Sequence, residues 1–72
     1  MNKKNAIATI DYLNAKLSNL TSGLNYWQSE SDNLDNTELR QKECSKNIAD
    51  LQSAFNEIYS MVLELKMDFN IK

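Results

Sequence analysis

Along the chain, apolar side chains recur at Ile10, Leu13, Leu17, Leu20, Leu24 and Trp27, in alternating steps of three and four residues. That is the seam of a coiled coil, narrower than the broad apolar stripe of a globular helix. Ala6 extends it toward the N-terminus. Gly23 falls inside the pattern and costs a helix roughly 1 kcal/mol relative to alanine. Because Leu24 and Trp27 stay in phase beyond it, the pattern predicts one helix from about residue 5 to 29, with an early stop near Ser22–Gly23 as the alternative.

The stretch QSESDNLDN, residues 28–36, holds one apolar residue, Leu34. Its Ser, Asp and Asn side chains compete for backbone hydrogen bonds and favour a turn. Asp35 followed by Glu38 has the spacing of a capping box, which predicts the start of a second helix there. A second seam then runs through Cys44, Ile48, Leu51, Phe55, Ile58, Val62, Leu65 and Phe69, again in steps of four and three, for a helix over about 36–71. So short a connection lays the helices antiparallel and side by side. Thr37, Gln41 and Cys44 then face Leu20, Leu24 and Trp27, setting a bulky indole against small side chains.

The expected fold is all-α, a single antiparallel two-helix hairpin of coiled-coil type spanning residues 1–72. Its core would comprise Ile10, Leu13, Leu17, Leu20, Leu24 and Trp27 from the first helix, and Ile48, Leu51, Phe55, Ile58, Val62 and Leu65 from the second. The absence of proline and the single glycine agree, since sheet proteins need turn residues in quantity.

Composition narrows the function. A net charge of −2 with dispersed cations gives no basic surface for phosphate, so no nucleic acid is expected as a partner. Cys44 is the only cysteine and histidine is absent, so neither an intrachain disulfide nor a cysteine metal cluster can form, and no cofactor is implied. Asp50, Glu57 and Glu64 recur every seven residues, the spacing of a solvated face. Cys44 has no neighbouring cation to activate it and reads as a small seam hydrophobe. The chain is therefore not expected to be an enzyme. No apolar run approaches the ~18 residues of a membrane span, and the basic start MNKKN leads into a stretch too polar for a secretory leader. A cytoplasmic protein without membrane insertion is the expectation.

What remains is surplus apolar surface. In DLQSAFNEIYSMVLELK, residues 50–66, Ala54 and Met61 flank the seam on one side, Tyr59 on the other, and Leu63 lies behind. Met67 is also off the seam, as are Ile7 and Tyr12 of the first helix, and Tyr26 shares the heptad position of Tyr12. Two helices give each other one line of cover, and each large side chain left wet forgoes roughly 1.5–3 kcal/mol of burial. Lengths of about 25 and about 36 residues would leave the second helix longer by ~16 Å, with Met67, Phe69 and Ile71 beyond its partner. These features predict a protein contact at Ile7, Tyr12, Ala54, Tyr59, Met61, Leu63 and Met67.

The run L-x-S-A-F-x-x-I-x-x-x-V-x-x-L-K, Leu51 to Lys66, resembles the small co-chaperones of type III secretion needle subunits, the YscE/PscE/EscE-like family, and the Asn- and Lys-rich usage is most similar to its EscE branch. The resemblance implies a cytoplasmic helical hairpin that docks on a larger tetratricopeptide-like (TPR-like) chaperone. That chaperone holds the needle subunit before export. The resemblance further implies that Ala54, Tyr59, Met61 and Leu63 meet the chaperone, and that free copies can self-associate through the same face. An alternative is a WXG100-like hairpin of type VII secretion, with Trp27 near the turn. There Gln28 and Ser29 replace the W-x-G pattern, and Tyr26 and Glu30 place the export-signal spacing at the turn rather than after the second helix. A structural homo-oligomer or a phage-type inhibitor is the third reading.

Overall fold

The computed structural model describes residues 1–72 and contains two helices, α1 (Lys3–Ser31) and α2 (Glu38–Asp68), packed antiparallel with no strand. The molecule is an all-α helical hairpin, a rod of 51 × 16 × 14 Å.

Both helices differ from expectation at their ends, and local hydrogen bonding explains each difference. α1 begins two residues earlier because Asn2 caps it, its side chain accepting from the Asn5 amide at 2.8 Å. Lys3 and Lys4 lie in the first turn, where positive charge opposes the helix dipole, so charge gave no hint of this start. The helix runs through Gly23 without interruption and ends at Ser31. Its last carbonyls are taken up from outside the helix. Asn36 Nδ2 donates to the Glu30 carbonyl, and Gln41 Nε2 donates to that of Ser31 at 2.9 Å.

The Asp35–Glu38 capping box does not form. Thr37 is the N-cap of α2, its hydroxyl accepting from the Arg40 amide at 3.1 Å. Asp35 is held in the turn instead, its amide donating to Asn33 Oδ1 at 3.0 Å. The Asx turn therefore claims the residue that the spacing assigned to the cap.

α2 stops at Asp68 rather than residue 71. Asn70 adopts a left-handed φ of 55°, the Ile71 amide donates to the Lys66 carbonyl at 2.8 Å, and the Asn70 amide donates to that of Met67 at 3.3 Å. This pair of bonds is a Schellman motif, which ends a helix by turning the chain back. The helices are thus 29 and 31 residues long. The expected overhang of ~16 Å shrinks to about 3 Å, so length mismatch no longer explains the apolar tail.

Full burial is confined to the two ends of the rod. Ala6, Ile10 and Val62 are buried near the termini and Cys44 near the turn; no other residue is buried. Between them Leu13, Leu17, Leu20, Leu24, Ile48, Leu51, Phe55 and Ile58 are only half-buried. Trp27 and Leu65 are also half-buried, and no buried side-chain polar atom lacks a partner. The total accessible surface is 5399 Å², whereas a compact monomer of this mass exposes about 4600 Å².

Two substitutions test this seam. Leu17→Asp or Leu51→Asp should cost about 3 kcal/mol or more, because a carboxylate there has no partner. That is most of the stability open to so small a core. The circular-dichroism melt should collapse, and the Cys44 thiol should alkylate at the rate of a free thiol; an unchanged melt would refute the seam. At Gly23 a Cβ would lie 3.3 Å from Leu51 Cδ1 and 3.7 Å from Cδ2, the mobile ends of a half-buried side chain. Gly23→Ala should therefore gain most of the roughly 1 kcal/mol of helix propensity, and raise Tm by about 4 °C or more.

Candidate functional site

Heptad geometry sorts the off-seam residues into two flanks. Arg40 bridges from α2 to Glu30 of α1 at 3.3 Å, which fixes one flank of the helix pair. Residues at seven-residue intervals from these two share that flank. In α1 they are Gly23, Lys16 and Thr9; in α2 they are Asn47, Ala54 and Met61. Lys16, Asn19, Leu20, Ala54 and Ile58 line a shallow open groove of about 290 Å³ there. Tyr12 adjoins it, its ring lying beneath Lys16 Nζ at 5.1 Å.

The opposite flank carries Ile7 on α1 with Tyr59 and Leu63 on α2. Tyr59 stacks on Phe55 with ring centroids 6.1 Å apart, continuing the half-buried seam outward. Met67 lies one turn beyond Leu63, further around the helix, and is 81% exposed.

The seven residues expected to meet a partner are divided between the flanks. Tyr12, Ala54 and Met61 belong to the groove flank; Ile7, Tyr59 and Leu63 belong to the other; Met67 points away from both. Ile7 and Tyr12 lie about 140° apart around α1, so a single flat partner cannot cover both. Ala54 is half-buried, and the other six are exposed.

The turn end has a different character. Arg40 packs its guanidinium over the Trp27 ring at 4.9 Å, while bonding Glu30 at 3.3 Å and Glu43 at 3.0 Å. The hydrogen bond to Glu30 is the main reason that its pKa is pushed further up, so the guanidinium stays charged. Trp27 also meets Tyr26 edge to face, with centroids 5.2 Å apart. The indole is thus capped by a cation, while Leu20, expected opposite the small side chains at the start of α2, instead lies beside Ala54 and Ile58. Arg40 sits one residue before Gln41 on the flank rather than on the seam, so the apolar pattern did not single it out. Leu34 at the tip is fully exposed and Leu39 is 77% exposed, two apolar residues outside the expected contact set.

No group of three or more His, Cys, Asp and Glu side chains converges as a metal site, and Cys44 is a free, buried thiol. No helix is long and apolar enough to cross a membrane. The chemistry on display is apolar surface along two flanks. Comparison with protein-family models, with curated proteins and with solved structures finds no match.

Loss of the Arg40 side chain should affect the turn end alone. Arg40→Ala removes two ion pairs, to Glu30 and Glu43, and a cation–π contact, all solvent-accessible and each a modest contribution. Trp27 fluorescence should shift toward that of a wetter indole. Tm should fall by a few degrees, with the helical signal at low temperature retained.

Proposed function

We propose that this hairpin is a protein-binding accessory subunit, completed by a larger helical partner that covers its half-buried seam. The observation that carries this reading is the surplus surface: a chain exposing 5399 Å², about 800 Å² more than a compact monomer of its mass. That excess matches the area one partner contributes to an ordinary specific interface. A third and fourth helix laid along the flanks would bury Leu20, Ile58 and Met61 on one side, or Leu17, Phe55 and Tyr59 on the other. Burial of this kind stabilises both chains by mass action.

Joined to the co-chaperone resemblance of Leu51 to Lys66, the reading becomes specific. The hairpin would act in the cytoplasm of a bacterium with a type III secretion system. It would bind and stabilise a TPR-like chaperone, which in turn holds the needle subunit before export. TPR-like repeats are stacked helix pairs, and their concave surfaces supply the additional helices that the rod lacks.

The reading is tested by affinity capture from lysate of the native host, with mass spectrometry of what is retained. Capture of a helical-repeat chaperone together with a small needle-like protein is the expected result. Met61→Glu and Leu63→Glu, both on exposed positions, should leave the circular-dichroism spectrum unchanged. Between them they should weaken capture tenfold or more, since each replaces burial worth about 1.5–3 kcal/mol with a charge. Retention of full capture by both variants would overturn the assignment of the interface.

A further inference from the structure

The groove flank has rims of unequal charge, and that inequality specifies what fits it. Glu43, Asp50, Glu57 and Glu64 stand at seven-residue intervals on α2, about 10.5 Å apart along the axis. They run beside the groove, with Ala54 between Asp50 and Glu57, and Met61 between Glu57 and Glu64. The molecule has two salt bridges, both made by Arg40, and of this stripe only Glu43 takes part. Asp50, Glu57 and Glu64 are exposed and pair with nothing. Neither Glu57 nor Glu64 has a lysine or arginine three or four residues away, so neither has a cation at the spacing that normally supports an exposed helix. Across the groove, the α1 rim is Tyr12, Lys16 and Asn19, neutral to weakly cationic.

We infer that this groove receives an amphipathic helix of another protein. Its apolar ridge seats between Leu20 and Ile58, and its α2-facing flank carries lysine or arginine at seven-residue intervals. The inference rests on the reading of the chain as a protein-binding subunit, and it names the chemistry of the partner. A second copy does not satisfy it. No two of the chain's own cations stand seven residues apart, so no helix of this protein presents the complement to Asp50, Glu57 and Glu64. Apolar contact along Leu20, Ile58 and Met61 supplies most of the affinity. The carboxylates select among apolar helices and accelerate encounter, an effect that salt screens.

The test uses the full chain and two synthetic helical peptides of about 21 residues with one shared apolar ridge. One carries lysine at three seven-spaced flank positions, the other glutamate at the same positions. Fluorescence anisotropy at low ionic strength should show about a tenfold preference for the lysine peptide, as three exposed pairs of a few-fold each would give, and the preference should shrink in high salt. Amide shifts should perturb around Leu20, Ala54 and Ile58. The triple variant D50K/E57K/E64K, verified as helical, should reverse the preference. Equal binding of the two peptides, or shifts centred on Tyr59 and Leu63, would overturn this inference while leaving the protein-binding reading intact. Binding of neither peptide by a monomeric chain would overturn this inference, whereas the protein-binding reading falls only if affinity capture also retains no partner. Concentration-dependent dimers whose contacts fall at Leu20 and Ile58 would assign the groove to a second copy and overturn the inference.

Discussion

Everything in this molecule follows from the contact of two helices along one line. A helix in a bundle has neighbours on two or three sides; here each has one. Apolar residues directly on the line are screened by the opposite helix, and those a fraction of a turn away meet water. Along the line itself the cover is uneven: Ile10 and Val62, near the termini, are buried, while Leu17, Leu51 and Phe55, in the same heptad pattern, are only half-buried. The radius of gyration, 16.0 Å, exceeds the about 11 Å of a compact domain of this length for the same reason. A third helix would change the environment of nearly every leucine in the chain without moving the backbone.

The hairpin itself was legible in the heptads, because a 3–4 alternation sustained through Trp27 and Phe69 admits few other structures. Helix ends were less so, since capping depends on which of several polar side chains wins a given amide. Asp35 and Thr37 both suit an N-cap, and only the Asx turn at Asn33 decides between them. At the far end, no glycine marks the stop of α2; Asn70 takes the left-handed position in its place. Asparagine tolerates that conformation better than most residues, but its presence alone does not announce it.

The candidate surface was legible residue by residue and not as a shape. Heptad position already put Met61 and Tyr59 on opposite sides of α2, yet which side of α1 adjoins each became clear only once Glu30 and Arg40 were seen to meet. That bridge sets which side of α1 adjoins which side of α2, and so groups Tyr12 with Met61 and Ile7 with Tyr59. Leu34 and Leu39 were hidden for another reason: near a turn, heptad position no longer determines exposure.

The distribution of burial has a consequence for a partner. The rod is clasped near its termini by Ala6, Ile10 and Val62, and near the turn by Cys44, with Arg40 and Gln41 reaching across to α1. Its waist has half-screened apolar side chains and the single glycine. A helix laid along a flank would therefore gain most of its burial at the waist, where the seam is half-screened, while the contacts at both ends of the rod stay as they are.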